Sequence, residues 1–273
     1  MCFKKENFMK SVVVAWCNQN EVVFENQVPL LFVGKRNKAL GFTGTIHVVF
    51  LTGFSRLSAT YIQSLKGVGY KLHDVEKLFL EFDKKYSQLD RFGQYEKRCF
   101  LRWLVLAEYF GQEQIIHYDG DYVLNEDVAI IEKLLAGKTF FLQGSGAFAC
   151  ISDPLWFEQY TEQLDMLVND IEGYSSRAWV QRKGWELSYR YRWAGSRFRK
   201  IITSDQDLLV HLVHTRNLKQ DNPEEISLIL NDYQVFQNPL FLHLYDENYP
   251  YEYSRESGID YFSCIRQEGA NCF

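Results

Sequence analysis

The sequence lacks the patterns that mark several large classes of protein. Its six cysteines are scattered and include no C-x-x-C pair, so they predict neither a zinc site nor a compact disulfide framework. Several lie in apolar runs, which favours buried, reduced thiols. The chain has no internal repeat, no low-complexity tract and no apolar stretch long enough to span a membrane. We therefore expect a cytoplasmic protein without a transmembrane segment.

Positive charge is also in short supply. The 273 residues carry a formal net charge of −5, and a generic nucleic-acid-binding protein is normally basic, so we expect no nucleic-acid partner. The hydrophobic content of 47% is enough for a large core. No break in composition divides the chain, which predicts a single domain over 1–273, with the polar, tyrosine-rich tail 246–273 as a wrap or lid.

The early part of the chain alternates between strand and helix patterns. Apolar runs at 11–17 and 46–51 predict strands, and Tyr70–Val75 is a candidate third strand. A helix over 55–65, capped by Ser55 or Ser58, lies between the last two. A further helix is predicted after the polar turn at 18–20 and extends through Leu31 or beyond. This β-α-β-α-β order predicts an α/β fold with a twisted, mostly parallel sheet and helices on its faces.

Further helices follow in the second part of the chain. The clearest helix pattern runs from Phe92 to Phe110, with apolar residues at helical spacing that include Tyr109, and Gly111 ends it. We expect Asn125 to cap a helix through Leu135, with Asp127 in its first turn. The sequence also predicts a helix that opens at 153–154 and runs to about Val168. A further helix is predicted from Leu208 to about Asn217, capped by the segment 203–207.

The most informative stretch is 114–124, which contains a D-x-D pattern. Ile115–Tyr118 predicts a buried strand, and Asp119 and Asp121 follow on either side of Gly120. An isolated D-x-D is more often an ordinary turn. Here it follows a strand, and ligands of open α/β sheets bind at the carboxyl ends of strands. Two carboxylates on one side of an extended backbone suit Mn²⁺ or Mg²⁺ with a diphosphate.

Two other stretches suggest binding surfaces. Residues 177–200 are basic and aromatic, which indicates an anionic partner with flat apolar faces. Within this stretch, Trp179 and Trp193 are the candidates for acceptor binding. The alternative is a solvated hairpin whose aromatic side chains fill the core. Gly144, Ser145 and Gly146 are small enough to let an acceptor lie against the backbone. A bulge or bend is the alternative interpretation of this trio.

These segments together resemble the GT-A-fold glycosyltransferases, especially the glycogenin and lipopolysaccharide galactosyltransferase group. The helix segment 100–104 with Arg102 and the D-x-D strand are similar to that group's arginine helix and D-x-D strand. The segment 204–209 is similar to its Asp-Gln helix start, and 242–244 to its late histidine. The elements occur in the family's order over roughly residues 10–245.

The resemblance implies a GT-A fold and a metal-dependent hexosyl- or pentosyltransferase, and the family likeness favours a retaining over an inverting outcome. Its donor would be a nucleotide sugar, with a UDP-sugar favoured, and its acceptor a carbohydrate-containing glycan, lipid or protein. The roles that it implies are a metal site at Asp119, Asp121 and His243, donor contacts at Trp16, Asn18, Arg102 and Gly120, and catalysis at Asp205 and Gln206.

The chain departs from the family at two points. The family's Asn-x-Gly is Gly144-Ser145-Gly146 here, and its Gly-and-Lys-Pro-Trp cluster after the histidine is missing. The lysine that would contact the leaving group is therefore absent, and the segment 190–200, Arg255 or Arg266 is the candidate replacement.

Alternatives remain for several of these assignments. Arg102 is also compatible with a surface arginine that packs only its stem. His211 and His214 are rivals of His243 for the metal, and one of them is expected to pack in the core. At the level of function, the alternatives are a catalytically silent GT-A-like module that binds a glycan or nucleotide, and a nucleotidyltransferase. The absence of an early glycine-rich phosphate loop ranks the latter lowest.

Overall fold

The structure is a computed structural model that describes residues 9–16, 30–111, 113–120, 124, 126–141, 146, 148–181, 202 and 204–221. In those residues the helices are α1 (Leu30–Ala39), α2 (Ala59–Gly67), α3 (Glu76–Lys85), α4 (Gln94–Phe110), α5 (Val128–Leu134), α6 (Leu155–Asn169), α7 (Ile171–Gln181) and α8 (Asp205–His214). Short 3-10 turns occupy Phe54–Arg56 and Ser87–Phe92. No helix within the described ranges is long and apolar enough to cross a membrane.

The described strands form one mixed, mostly parallel sheet. They are β1 (Lys10–Ala15), β2 (Ile46–Phe50), β3 (Tyr70–Asp74), β4 (Ile115–Tyr118), β5 (Phe140–Phe141) and β6 (Phe148–Ile151), in the order β3-β2-β1-β4-β6-β5. β1 pairs in parallel with β2 and β2 with β3, whereas β5 and β6 are antiparallel. The predicted α/β class with a mostly parallel sheet is confirmed, and the GT-A assignment stays a prediction.

The described residues divide into two compact units, each built from two segments. The strand unit comprises the described residues of 9–76 and 116–136. The helix unit comprises the described residues of 77–115 and 137–221. The single domain over 1–273 stays a prediction, and residues 246–273 lie outside the part of the chain that is described.

The strand unit is built on β-branched strands that are buried on both faces. Val12, Val13 and Val14 of β1 are each 4% exposed or less, and β2 is buried throughout. The Tyr70 hydroxyl donates to the Leu30 carbonyl at 2.9 Å, which ties β3 to the start of α1. Side chains that alternate between two covered faces explain why these strands appear in the sequence as continuous apolar runs.

The helix unit has an aromatic core around α4 and α6. Trp103 and Trp156 pack edge to face with ring centroids 5.5 Å apart, and Tyr160 stacks on Trp156 at 5.4 Å. Phe141 packs against Trp156 at 5.2 Å. Such aromatic pairs contribute about 0.5–1.5 kcal/mol each beyond the area that they bury. This core surrounds α4 so closely that its residues from Cys99 to Leu106 are all buried.

Local capping signals located the caps of two helices and misplaced the cap of a third, and α8 begins at Asp205 rather than at the predicted Leu208. The Ser58 hydroxyl accepts from Tyr61 N–H at 3.1 Å at the start of α2, and Ser204 caps α8 through Asp207 N–H. The predicted cap of α5 at Asn125 is wrong, because Asp127 is the cap and its carboxylate accepts from Ala129 N–H at 3.1 Å. Asp127 is favoured because the same carboxylate also binds the loop before β2.

Other differences arise where packing overrides the periodic pattern. Tyr109 was expected on the buried face of α4, but it is 44% exposed, and Phe110 is buried in its place. The helices α3 and α7 were not predicted. The first five residues of the basic aromatic stretch, 177–181, belong to α7, so this part is a helix rather than a hairpin.

Candidate functional site

The sheet reverses its strand order between β1 and β4. The chain adds β2 and β3 on one side of β1 and then places β4 on the other side. Trp16 directly follows β1 and is 7% exposed, while Asp119 directly follows β4 and is half-buried. Gly120, next along the chain, is buried. In open α/β sheets, ligands bind in the crevice at the carboxyl ends of the strands at such a reversal.

The strand β4 supports Asp119 with side chains that are buried on both faces. His117 is fully buried, as expected for a residue with no assigned role in the site. Burial raises the pKa of Tyr118 well above its ordinary value, so the phenol stays neutral at physiological pH. Among the described residues, Asp119 is the carboxylate that directly follows β4.

A buried ion pair in the helix unit joins two other predicted site residues. The Arg102 Nη2 atom of α4 donates to Asp205 Oδ2 of α8 at 2.7 Å, and the two side chains are 5% and 3% exposed. The Trp103 indole N–H donates to the same oxygen at 3.3 Å. The alternative of a surface Arg102 is wrong, because α4 is enclosed on the side that carries Arg102.

Gly146 lies against this ion pair. A Cβ atom on Gly146 would stand 2.9 Å from Trp103 Cζ2 and 3.2 Å from Asp205 Oδ2, and closer still to Arg102 Nη2. The space that a side chain would fill is thus taken by protein atoms. Close packing therefore explains why residue 146 is a glycine. Neither the interpretation as an acceptor-binding segment nor the interpretation as a bulge included this explanation.

The first turn of α8 holds the rest of the predicted catalytic segment. Gln206 is half-buried, and Asp207 is buried under the Ser204 cap. Further along, His211 is 3% exposed and meets the Tyr174 ring edge to face, with centroids 5.8 Å apart. The prediction that one of His211 and His214 packs in the core is confirmed by His211. The side chain of His214 lies outside the described part.

The described residues contain one group of at least three metal-ligating side chains. One ligand atom each from Glu96, Cys99 and Asp205 lies within 4.8 Å of the others. This group fits Mn²⁺ or Mg²⁺ poorly, because hard cations prefer oxygen to thiolate and because the Arg102 guanidinium already balances the Asp205 charge. Sequence reasoning missed Glu96, Cys99 and Trp103 here, since no local pattern links them to Asp205.

The structure thus brings together part of the predicted site. It places Arg102, Asp205 and Gly146 in one cluster, and Trp16 and Asp119 after neighbouring strands. The predicted site residues that lie outside the described part are Asn18, Asp121, Gly144, Ser145, Trp193 and His243, and the same holds for the candidate leaving-group contacts at 190–200, Arg255 and Arg266. Trp179 lies in α7, but its side chain is not described.

Comparison of the chain with protein-family models, with curated proteins and with solved structures gives no match. A proposal for function therefore depends on the strand order, on the residues at the strand ends and on the buried ion pair.

Proposed function

We propose that the protein is a metal-dependent glycosyltransferase that moves a hexose or pentose from a nucleotide sugar to a carbohydrate-containing acceptor. The observation that carries the proposal is the position of Trp16 and Asp119 directly after β1 and β4, where the strand order reverses. A flat aromatic ring and a carboxylate at this point suit a nucleoside and a metal-bound diphosphate.

The metal would be held by Asp119 together with Asp121 and His243, the two ligands that the family resemblance implies. Asp119 offers the hard oxygen donor that Mn²⁺ and Mg²⁺ prefer. When bound, such an ion offsets the negative charge that develops on a departing diphosphate. Gly120 has no side chain, so the donor phosphates can approach the backbone beside Asp119.

The Arg102–Asp205 pair supports the proposal in a different way. Its charged groups are held at a fixed separation in an apolar surrounding, where electrostatic interactions are stronger than in water. A carboxylate near the transferred sugar would stabilise positive charge at the anomeric carbon, as in glycoside hydrolysis. A contact of Arg102 with the donor is what the resemblance implies, and it stays a prediction.

A catalytically silent glycan- or nucleotide-binding module is the second candidate. One observation favours it: the Asp205 carboxylate is 2% exposed and already balanced by Arg102. A structural ion pair of this kind needs no substrate. In that case the strand ends would still bind a nucleotide, but no sugar transfer would follow.

The first experiment is a thermal-shift panel of nucleoside diphosphates and nucleotide sugars, with and without Mn²⁺, on the wild type and on Asp119→Asn. A ligand that binds only the folded state adds about 2.7 kcal/mol of stability at 100 times its Kd. We expect a UDP-sugar to raise Tm only together with Mn²⁺, and we expect Asp119→Asn to remove this shift.

Asp74→Asn is the matched control, because Asp74 also ends a strand of the sheet but lies away from the reversal. Its amide oxygen can still accept from Glu76 N–H, so the local turn is kept. The control should respond to ligands as the wild type does. If no nucleotide gives a metal-dependent shift, the transferase proposal fails. Binding without release of nucleoside diphosphate in the presence of acceptor glycans would favour the silent module.

A further inference from the structure

Two histidines of the strand unit lie in direct contact on one face of the sheet. His47 is on β2 and His73 is on β3, the edge strand at one end of the strand order. In the parallel register His47 faces Lys71, so His47 and His73 are diagonal neighbours on that face. His47 Nδ1 and His73 Nε2 are 2.9 Å apart, and the ring planes differ by 5°.

The spacing of the two nitrogens matches a shared metal ion. Metal–imidazole bonds are about 2.0–2.1 Å long, so two nitrogens on one ion lie roughly 2.9 Å apart at a right angle and roughly 3.4 Å apart at a tetrahedral angle. To bind one ion, the two rings must rotate so that the lone pairs of both nitrogens point to a common position, which lies to one side of the line that joins the nitrogens. His73 is half-exposed on an edge strand, so its ring has room for this rotation.

Both rings are in the protonation state that a metal requires. Burial lowers the pKa of His47 to about 4, with smaller contributions from His73, Lys10 and Lys71. Burial also lowers the pKa of His73, helped by Lys71 and Lys10. Each imidazole is therefore neutral at physiological pH. In the hydrogen-bonded pair one facing nitrogen carries a proton, and on metal binding this proton moves to the other nitrogen of its ring.

We propose that His47 and His73 together bind one late divalent transition-metal ion, such as Zn²⁺, Ni²⁺ or Co²⁺, through Nδ1 and Nε2. Imidazole nitrogen is a preferred ligand of these ions, whereas Mg²⁺ and Ca²⁺ prefer oxygen. Among the described residues no third His, Cys, Asp or Glu forms a metal-ligating cluster with the pair. In this proposal water or a small anion fills the positions that the pair leaves open, and the ion is exchangeable.

The bound ion also joins the edge strand β3 to β2. A ligand that binds only the folded state raises stability in proportion to the logarithm of its concentration over Kd. Lys10 and Lys71 act in the opposite direction, because their charges repel a cation. Their repulsion is screened by salt at exposed positions such as Lys71, so it weakens the site without abolishing it.

The test uses Co²⁺ as the probe on the full chain without an affinity tag. Co²⁺ binding is followed by the Tm shift and by the proton NMR spectrum, in which each coordinated imidazole gives its own paramagnetically shifted ring resonances. We expect the wild type to show the resonances of two rings. The variant His73→Gln should bind Co²⁺ at least tenfold more weakly and lose both sets.

The variant Lys71→Gln provides a second measurement, in which the Co²⁺ affinity should rise rather than fall. Removing this charge should tighten Co²⁺ binding severalfold at low salt. Lys66→Gln is the matched control, since it makes the same change in net charge but Lys66 does not contribute to the pKa of either ring. Its Co²⁺ affinity should equal that of the wild type. Because Lys71 is exposed, this comparison remains valid even if His73→Gln folds poorly.

Three results would overturn the proposal. One is a Co²⁺ affinity that is the same in His73→Gln and in the wild type. Another is a wild-type spectrum without shifted imidazole resonances. The third is a thiolate-to-cobalt absorption band in their place, which would assign the ion to a cysteine site such as Glu96–Cys99–Asp205.

Discussion

The helix unit and the strand unit stabilise their buried polar groups differently. In the helix unit, opposite charges meet. Arg102 pairs with Asp205, and Lys97, which is 1% exposed, lies 2.9 Å from an Asp83 carboxylate oxygen and 2.7 Å from one of Asp90. A buried charge that loses its partner is very costly, since the protein interior cannot solvate it as water does.

In the strand unit, the buried Asp127 and Arg36 have backbone groups among their partners. The Asp127 carboxylate accepts from the backbone N–H groups of Thr43, Gly44 and Ala129. The Arg36 guanidinium donates to the Leu124 carbonyl at 2.7 Å. The loss of the Asp127 carboxylate removes its hydrogen bonds, whose donors are neutral groups. The losses of stability caused by substitutions in the two units should therefore differ in size. Four substitutions test this expectation.

The largest effect is expected from Asp205→Asn. The amide keeps the shape of the carboxylate but removes the negative charge that faces the buried Arg102 guanidinium, so the free energy of unfolding should fall by about 3–5 kcal/mol. Urea denaturation measures it. Glu172→Gln, which breaks the exposed pair with Arg91, is the control and should cost less than about 1 kcal/mol. Equal losses in the two variants would contradict the role given to the ion pair.

The next effect is expected from Gly146→Ala. The added methyl group would overlap Arg102 and Trp103, and overpacking of this kind costs about 1–3 kcal/mol. Gly67→Ala is the control, because a Cβ there meets nothing within 4 Å. Thermal unfolding measures the Tm of both variants, and only Gly146→Ala should lower it. An unchanged Tm in Gly146→Ala would mean that the cluster relaxes freely around the new methyl group.

In the strand unit, Asp127→Ala should cost about 1–2 kcal/mol at neutral pH, because a helix cap and the loop contacts at Thr43 and Gly44 are lost. Burial alone would raise the pKa of Asp127, but the hydrogen bonds from Thr43, Ala129 and Gly44 lower it overall. The stability that the carboxylate contributes is thus present above pH 3.8 and is lost as the pH falls through the folded-state value.

Urea denaturation of Asp127→Ala across the acid range measures this loss. Asp127→Asn is the comparison, since an amide oxygen can still cap α5. It should recover part of the stability at neutral pH and show a weaker dependence on pH in acid. A Tm for Asp127→Ala equal to that of the wild type at neutral pH would contradict the capping role.

The smallest effect at neutral pH is expected from His47→Gln. The His47 pKa is about 4 in the folded protein against 6.5 for an ordinary histidine, so the unfolded chain binds the extra proton first. Stability is then complete above pH 6.5 and falls as the pH drops towards 4. The groups that set this pKa besides burial are His73, Lys10 and Lys71.

The slope of the unfolding free energy against pH over this range should be shallower in His47→Gln than in the wild type. Urea titrations at several pH values, with a chelator present to exclude metal ions, give both slopes. A slope that the substitution leaves unchanged would mean that other groups titrate in its place.

The parts of the fold that were predicted correctly depend on short-range patterns. The strands β1 and β2 were recognisable because β-branched runs buried on both faces have few alternatives. The starts of α2 and α8 were recognisable because a serine oxygen caps a backbone N–H only three residues later. The cap of α5 was misplaced, since two acceptors, Asn125 and Asp127, satisfy the same local rule.

The candidate site was predictable only in part. The D-x-D pattern correctly placed Asp119 after a strand, because a strand and the residue that ends it are local features. The resemblance brought Arg102 and Asp205 into the same list, but it did not predict that they form a buried ion pair. Nor did it indicate that Trp103 and Gly146 enclose that pair.

By itself, the sequence determined the α/β class, the burial of the early strands and the capping of two helices. Each depends on residues within a few positions of one another. Only the tertiary structure decided that β4 lies beside β1, that Arg102 meets Asp205 from 103 positions away and that His47 contacts His73. Contacts across such separations depend on how whole elements pack, and packing depends on the shape and volume of all the buried side chains together.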